Sequence, residues 1–533
     1  MVMSIGYGSQ TAQYKAITDV IEDQDEESSI SKTQIANNIE NRNDLSRILD
    51  SLKIYSSYWP EDAACLIKGA QKLQEDTHLR VPVARRSYLN CQITSDKFNT
   101  KDLPWQNGCG ITGALNQKYQ YQGRVVSVTS LTSLTVEKPK REIIINLEHD
   151  VVLHEPGDAF YFAVPNAREE VDFILERMGL LGIADQKLVV TVKSQTAVQN
   201  AVVPPYIPEI CTLRHVFTWC LDIRRSPGRP LLRVLAEYTG NEYEKRRILE
   251  LCSAQGTEEF TKFVRQAGLS LIDFLLNFPS CRPTVERLIE LLPRLLPRPY
   301  SVSCIKELWG KNIRFIFSLV NLSAADGRCY CRYGLSSGWL ATLKEGQQVM
   351  IFLKETSRFR LPPPVHSSFD LTRIPLIMIC TGTGLAPFLS FLQKLDFLKA
   401  GKYKVRRELY FGFRNIKNDC IYYKEIMGYV ERNILSHLSL CESQPESGTA
   451  YKKYVQDALR ERGREISDVL SLKYEDERYP PFIFVCGSSK QMSKDVANTF
   501  LYIFRDFLNK SNAEAELFLK ELRENDHYVE DVW

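Results

Sequence analysis

The sequence predicts a multi-domain protein of mixed α+β and α/β class, in which an antiparallel β-barrel with a helical insertion precedes a parallel sheet. Three observations support this prediction. A chain of 533 residues is too long for a single core. Short alternating strands occur before residue 213 and again after residue 293, with helical spacing between them. After residue 373, buried strands alternate with amphipathic helices.

The barrel is predicted from short strands that are separated by turns. The segments with strand-like alternation are Gly123–Val128, Glu142–Leu147, Asp158–Val164, Tyr300–Cys304, Phe315–Val320 and Gln348–Leu353. A turn is expected at Glu155-Pro156-Gly157-Asp158, because Pro fixes φ and Gly permits a positive φ. Closely spaced strands of this kind are typical of an antiparallel barrel.

The second domain is predicted from apolar runs that each lead into an amphipathic helix. These pairs are Pro375–Cys380 with Gly382–Gln393, Arg407–Gly412 with a helix near Tyr422–Val430, and Phe482–Cys486 with Lys490–Phe507. Alternation of this kind indicates a parallel α/β sheet. Ligands of open α/β sheets bind outside the carboxyl ends of the strands, so we expect a site there.

Composition excludes several classes of function. The formal net charge is +3, which gives no reason to invoke nucleic acid or an anionic membrane. The fourteen cysteines are scattered without a C-x-x-C pair or a zinc-like quartet, so we expect no metal site and a reducing compartment. We find neither a leader-like start nor an apolar span of about 20 residues, and we therefore expect a cytoplasmic protein without a membrane anchor.

Four segments carry side chains suited to binding a dinucleotide or a flavin. Arg298-Pro299-Tyr300-Ser301 combines a cation for a pyrophosphate with an aromatic ring and a hydroxyl group. Gly334-Leu335-Ser336-Ser337 opens a predicted helix, whose free N–H groups favour anions. Thr381-Gly382-Thr383-Gly384 follows a strand, where glycine permits close approach of phosphate. The chain finishes with Asp531-Val532-Trp533. Each segment alone is equally compatible with a structural role, such as a serine N-cap or a packed aromatic residue.

Together, in this order and spacing, the segments resemble the NADPH–FAD half of the diflavin reductases, and in particular the methionine synthase reductase branch. The resemblance covers roughly residues 120–533. The segments that point to this branch are Phe217–Arg224, Glu244–Arg247, Phe278–Cys281 and Tyr454–Asp457. It implies an FAD-binding barrel with a helical connecting insertion and a ferredoxin-reductase-like nucleotide domain.

The resemblance also implies a role for individual residues. Flavin contacts are expected from Arg298, Tyr300 and Ser301, and pyrophosphate contacts from Gly334, Ser336 and Ser337. Nucleotide contacts are expected from Gly382, Thr383, Gly384 and Arg414, with Lys452, Tyr454 and Gln456 at the adenosine 2′-phosphate. Assistance to hydride transfer is expected from Ser301, Cys486 and Asp531, and Trp533 is expected to cover the flavin until nicotinamide displaces it.

The expected domain boundaries follow from the same comparison. Residues 1–22 are expected to be a remnant of a flavodoxin-like FMN domain, and residues 23–115 a partly disordered linker. The FAD barrel is expected in two parts, 116–212 and 293–368, on either side of the helical connecting domain 213–292. The NADP-binding domain is expected at 369–533. The loop Tyr7–Ala12 resembles an FMN phosphate loop, but the other strands of a flavodoxin are missing. We therefore expect no FMN site in this chain.

Three positions depart from the family pattern. Cys380 stands where the family has Gly, which we expect to hinder backbone approach to phosphate. Glu442 stands where the family has Arg, so a carboxylate is expected to face the 2′-phosphate and weaken the preference for NADPH. Phe413 stands where Cys is usual.

Two functions remain open from the sequence. The first is an NADPH-dependent flavoprotein reductase that passes electrons towards reactivation of the cobalamin enzyme methionine synthase, directly or through a flavodoxin-like carrier in trans. The second is a non-catalytic FAD-binding or interaction module derived from a diflavin reductase.

Overall fold

The computed structural model describes residues 78–95, 120–148, 154–323, 325, 327–328, 330–354, 358–363, 370–446, 452–475, 481–488 and 490–533. The strands are β1 Leu89–Thr94, β2 Gln120–Ser130, β3 Lys140–Leu147, β4 Ala159–Phe162, β5 Lys187–Val192, β6 Ile210–Thr212, β7 Arg298–Ser301, β8 Asn312–Ser318, β9 Asn321–Leu322, β10 Arg332–Tyr333, β11 Gln348–Leu353, β12 Leu376–Thr381, β13 Arg407–Phe413, β14 His437–Glu442, β15 Phe482–Gly487 and β16 Tyr528–Val532.

The α-helices are α1 Arg168–Arg177, α2 Leu213–His215, α3 Arg229–Leu235, α4 Glu242–Cys252, α5 Thr257–Glu259, α6 Leu271–Asn277, α7 Val285–Leu291, α8 Lys306–Trp309, α9 Leu335–Thr342, α10 Ala386–Phe397, α11 Ile416–Asp419, α12 Tyr423–Glu431, α13 Val455–Glu461, α14 Gly463–Glu475, α15 Lys490–Asp506 and α16 Asn512–Glu524. Two π-helical turns, Val216–Cys220 and Phe260–Gln266, follow α2 and α5. A 3₁₀ turn, Gly382–Leu385, precedes α10.

The antiparallel barrel is confirmed. Its six strands are hydrogen-bonded in the order β7-β4-β11-β2-β3-β8, and a bridge between Val302 and Phe315 joins the last strand to the first. Alternate residues of β3 point inwards, as its sequence predicts, and Phe160 and Phe162 of β4 fill the interior. The predicted turn before β4 is present, with Gly157 at φ +95°.

The helical insertion shares its core with elements outside the predicted boundaries. Helices α2 to α7 pack against α1 and against a three-stranded sheet of order β1-β5-β6, in one apolar cluster that contains Leu89, Phe217 and Leu275. Strand β1 lies within residues 23–115, so that part of the predicted linker is an ordered element of the connecting domain. The predicted FMN loop Tyr7–Ala12 lies outside the described residues.

The second domain is a five-stranded parallel sheet of order β14-β13-β12-β15-β16. Helices cover both faces, with Met378 and Phe411 in one core and Ile377 and Val485 in the other. Burial on both faces explains why β12 and β15, and β13 after its buried Arg407 and Glu408, are apolar runs in the sequence. Within the described part of the chain, no helix has the length and apolar character needed to cross a membrane.

Candidate functional site at the seam between the barrel and the parallel sheet

The first half of the site lies where strand β7 meets helix α9. The Tyr300 hydroxyl shares a hydrogen bond of 2.6 Å with the Ser336 hydroxyl, and the Tyr300 ring packs edge-on against Phe162 at 5.3 Å. Burial raises the pKa of Tyr300, so its hydroxyl stays protonated at neutral pH. Cross-strand pairing with Ala159 holds Ser301 at the end of β7. The structure therefore brings together two predicted segments that are separated by 36 residues.

Helix α9 presents backbone donors beside this strand. Its N-cap is Gly334, and no side chain caps the first N–H groups. A Cβ on Gly334 would lie 3.0 Å from the Ser337 hydroxyl and 3.1 Å from Val320 Cβ, so the close approach of this loop favours glycine. The Ser337 hydroxyl accepts a bond of 3.1 Å from the Val320 N–H. Uncapped N–H groups at a helix start suit a pyrophosphate, so these residues fit FAD.

Arg298, the first residue of β7, is only loosely held. Its guanidinium donates to the Leu296 carbonyl and lies 3.7 Å from the Asp222 carboxylate. The side chain is about one-third exposed. An ion pair of this length at the surface contributes little, so a phosphate can compete for the guanidinium.

The second half of the site is the turn after β12. Gly382 has φ +55°, a conformation that favours glycine. A Cβ on Gly384 would come within 3.0 Å of the Cys486 carbonyl, and one on Gly487 within 3.0 Å of Thr381. The ends of β12 and β15 therefore touch through glycine, as expected for a turn that cradles a phosphate.

A cavity of about 520 Å³ opens at this turn. Of the predicted nucleotide residues, those that line it are Gly382, Thr383, Arg414, Tyr454 and Gln456. Gly384 lies within the turn itself, and the ammonium group of Lys452 lies 4.8 Å from the centre of the Tyr454 ring. The backbone crowding at the glycines and the basic lining fit a dinucleotide.

Sequence reasoning missed several residues of this cavity, namely Lys138, Lys140, Ser443 and Gln491. Lys140 belongs to the barrel, forms a buried ion pair with Asp419 and reaches Gly382 of the second domain. The two residues of the pair are 279 positions apart, so no local signal in the sequence links them. The cavity is thus completed across the seam.

Three predicted or noted residues form one row across the sheet. Cys380 of β12 is in register with Cys486 of β15, which is in register with Asp531 of β16. Burial raises the pKa of Cys486 well above the ordinary value and raises that of Asp531, although Lys354 partly offsets the latter. The Cys486 thiol therefore keeps its proton at neutral pH.

Trp533 lies at the same edge of the sheet. Its backbone N–H donates to the Gly487 carbonyl over 3.2 Å, while its side chain is 52% exposed. The indole is thus anchored through its backbone and open to solvent. This placement leaves the aromatic ring free to move against a ligand at the strand ends.

Two expected obstacles take a different form in the structure. The Cys380 thiol is fully buried in the core with Phe411, so it points away from the phosphate turn. The Glu442 carboxylate accepts a bond of 2.7 Å from the Ile416 N–H at the start of α11. One oxygen of the Glu442 side chain is thus engaged by this backbone donor, and the expected effect of Glu442 on nucleotide preference stays a prediction. Phe413 is buried and packs edge-on against Phe411 at 5.3 Å.

A larger cavity of about 700 Å³ lies elsewhere. It is lined by residues 165–170 and by Trp219 of the insertion, together with one face of α9 that presents Leu335, Gly338 and Trp339. Ser336 and Ser337 are buried on the barrel side of the same helix. Gly334 of the predicted pyrophosphate contacts also lines this cavity, whereas no residue of β7 or of the sheet edge does.

Comparison with protein families identifies both domains. Residues 115–339 match the FAD binding domain model. Residues 378–498 match the oxidoreductase NAD-binding domain model. The first match contains Tyr300 and Ser336 on the barrel side of the seam, and the second contains Gly382 and Cys486 on the sheet side.

Similar proteins cover most of the chain. The chain is 43% identical to methionine synthase reductase of Caenorhabditis elegans over 88% of its length and 68% of the relative. It is 34% identical to the Bos taurus enzyme over 77% of its length and 60% of the relative. It is 32% identical to the Homo sapiens enzyme over 78% of its length and 61% of the relative. The chain thus spans about three-fifths of these mammalian relatives, and it belongs to the methionine synthase reductases.

Proposed function

We propose that this chain positions NADPH against FAD for hydride transfer and delivers the electrons to an acceptor that supports methionine synthase. The observation that carries the proposal is the meeting of two binding halves at one seam. Tyr300 and Ser336 stand on the barrel side, and the Gly382–Leu385 turn stands on the sheet side. Lys140 crosses from one half to the other.

In this proposal the barrel residues hold the flavin. The uncapped start of α9 and Arg298 bind the pyrophosphate through N–H groups and a guanidinium. The protonated hydroxyl of Tyr300 fixes the strand against Ser336 beside the ring. When bound, FAD accepts a hydride and releases electrons singly.

The sheet residues hold the nicotinamide nucleotide. The glycine turn and Arg414 bind its pyrophosphate, and Lys452, Tyr454 and Gln456 bind the adenosine 2′-phosphate end. We assign Cys486 and Asp531, which are in register on β15 and β16, to assisting hydride transfer, with the buried thiol protonated and Asp531 beside it. Ser301 approaches the ring from β7, and Trp533 excludes water until nicotinamide enters.

The physiological acceptor follows from the relatives' name. We propose that the electrons serve reductive reactivation of cobalamin-dependent methionine synthase in the cytoplasm, either by direct contact or through a flavodoxin-like carrier in trans. A test is reconstitution with inactive methionine synthase, NADPH and a separate flavodoxin. We expect methionine formation only when this protein, NADPH and methionine synthase are all present, and a further requirement for the flavodoxin would indicate the carrier route. Methionine formation that does not depend on this protein would contradict the proposal.

The alternative is a non-catalytic module that keeps FAD but loses productive nucleotide binding. Flavin retention together with absent NADPH oxidation, in the presence of an artificial acceptor such as ferricyanide, would favour it. The inward orientation of Cys380 and the engagement of Glu442 by Ile416 argue for the reductase, because neither side chain obstructs the turn.

A further inference from the structure

A buried charged cluster links the barrel to the nucleotide domain away from the cofactor-binding residues. At its centre is Arg314 of β8, which is 5% exposed. Its two terminal nitrogens donate to the two carboxylate oxygens of Glu425 on α12, over 3.1 and 3.3 Å. Such a two-pronged contact fixes relative orientation as well as distance, because the guanidinium is planar.

On the barrel side the cluster reaches the strand that is proposed to hold the flavin. Arg314 Nη2 donates to the Ser303 carbonyl over 2.7 Å, and Arg314 Nε donates to the same carbonyl over 3.1 Å. The Ser303 N–H donates in turn to the Arg314 carbonyl over 2.9 Å. Ser303 follows Ser301 by two residues. Movement of Arg314 therefore transmits directly to the end of β7.

On the other side the cluster reaches the helix that starts at the nucleotide turn. Gln393 of α10 donates to Glu425 over 3.1 Å and accepts from the Ile305 N–H of the barrel over 3.2 Å. Helix α10 begins at Ala386, directly after the 3₁₀ turn Gly382–Leu385. Tyr429 is a third donor residue and adds a hydrogen bond of 2.9 Å to the same carboxylate. Glu425 thus joins the barrel to the element that carries the turn.

Aromatic rings enclose the guanidinium. Its carbon lies 5.0 Å from the Trp309 ring centre and 4.8 Å from the Tyr422 ring centre. Tyr422 adopts a left-handed φ of +55° and donates its hydroxyl hydrogen to Glu142 of β3. This backbone conformation is costly for a tyrosine, which indicates that surrounding contacts determine the position of the ring.

The cluster contributes more to the relative orientation of the two domains than to the free energy of unfolding. Burial alone would raise the pKa of Glu425. The charge of Arg314 and the hydrogen bonds from Arg314, Gln393 and Tyr429 lower it below the ordinary value. The pair is therefore ionised at neutral pH. Buried ion pairs often contribute little net stability, because desolvation offsets their attraction. Such a pair does fix the relative position of the two elements that it joins, here β8 and α12.

We infer that Arg314 is a positioning residue for hydride transfer. Its fork on Glu425 sets the spacing between the Tyr300–Ser301 strand and the Gly382–Leu385 turn, and hence between the two rings that these segments hold. The inference rests on the proposed function. Misplacement of reactants by about 1 Å can slow a reaction roughly 100-fold, so a modest loosening of the seam is measurable.

Two substitutions and a matched control test this inference. Arg314→Lys keeps the charge but removes the planar fork. Glu425→Gln keeps the shape and removes the charge. The control is Arg124→Lys on β2 of the same barrel, where two guanidinium nitrogens of an exposed pair donate to one oxygen of Glu148 over 3.1 and 2.8 Å. Thermal unfolding and FAD content are measured for all variants, to confirm that each protein folds.

The first readout is anaerobic stopped-flow reduction of the flavin by NADPH. For both seam variants we expect the saturating rate to fall by about tenfold or more. The NADPH dissociation constant should stay within about twofold of wild type, since neither Arg314 nor Glu425 lines the nucleotide cavity. The primary deuterium isotope effect on the reduction rate should rise, because the transfer step becomes more strongly rate-limiting. Arg124→Lys should match wild type in every respect.

The second readout does not need the cofactor. Hydrogen exchange of the apoprotein should accelerate in residues 298–304 and 420–431 of the Arg314→Lys protein, and in neither segment of the Arg124→Lys protein. If wild-type flavin is not reduced by NADPH, the proposed function fails and the inference falls with it. If wild-type flavin is reduced, and the seam variants match it in rate and isotope effect, the inference alone is overturned.

Discussion

The hydroxyl group of Tyr300 lies 2.6 Å from the hydroxyl group of Ser336, which places the end of the post-insertion strand against the start of helix α9. Each of the two segments alone is weak evidence for a binding site, and this contact joins them into one surface. A ring, a hydroxyl group and uncapped N–H groups converge there, as FAD requires. The family match of residues 115–339 covers both partners.

Replacing Tyr300 with Phe should weaken FAD binding. The substitution removes the hydroxyl group and leaves the buried Ser336 without that partner, at a cost of about 1 kcal/mol, or roughly fivefold in the dissociation constant. Equilibrium dialysis against free FAD measures the change. Tyr243→Phe is the control, because Tyr243 is 78% exposed in the connecting domain. Equal FAD affinity in all three proteins would show that the Tyr300–Ser336 contact does not support the flavin.

The two glycines of the nucleotide turn should respond differently to alanine. In Gly384→Ala the new Cβ meets the Cys486 carbonyl within 3.0 Å, so backbone must shift. In Gly382→Ala the nearest atom is the flexible Lys140 Cε at 3.5 Å, and the cost is mainly the positive φ, about 1 kcal/mol. We expect Gly384→Ala to lose more than about 2 kcal/mol of unfolding free energy and more NADPH affinity. Urea unfolding and NADPH titration check the order, and the reverse order would contradict the described turn.

Removing the charge of Glu442 should favour NADPH. Glu442→Gln keeps an acceptor for the Ile416 N–H but eliminates a negative charge near the proposed 2′-phosphate end. We expect NADPH binding to tighten severalfold at low salt, less at high salt, and NADH binding to stay constant. Isothermal titration with both nucleotides measures this. Glu442→Arg should increase NADPH affinity further than Glu442→Gln does, although loss of the hydrogen bond from the Ile416 N–H offsets part of that increase. Unchanged NADPH affinity in both variants would remove Glu442 from the nucleotide site.

His437 should make the protein less stable in mild acid. Burial, reinforced by Arg462, lowers the pKa of His437 from 6.5 to about 4. The unfolded chain therefore binds one more proton than the folded chain between these values, and stability falls as the pH falls from 6.5 towards 4. The loss is on the order of 2–3 kcal/mol. His437→Gln should flatten this part of the pH profile in chemical unfolding, while carboxylate contributions cancel in the difference. Parallel profiles for the two proteins would show that His437 does not titrate in this way.

Local patterns predicted the elements whose burial is uniform. Strands β12 and β15 are apolar on both faces, β13 is so after Glu408, and β3 alternates with period two, so their sequences identify them. Edge strands β14 and β16 were missed, because Glu442, Glu530 and Asp531 interrupt the apolar pattern where one side of the strand is open. Strand β1 was missed because its partner β5 lies about a hundred residues away.

The site was predicted by motif but not by geometry. The residues on turns and strand ends could be identified because their types suit phosphate and flavin binding. The crossing of Lys140 into the nucleotide cavity and the turning of Glu442 towards Ile416 depend on how two domains and two loops pack. Long-range packing of this kind leaves no periodic or local signal in the sequence. The same holds for the Arg314–Glu425 fork.

The most direct test is to purify the protein, saturate it with FAD and mix it with NADPH without oxygen. The account predicts a yellow protein whose flavin absorbance is lost at a rate that saturates with NADPH concentration. A colourless protein that takes up no added FAD, or bound flavin that NADPH leaves oxidised, would contradict it.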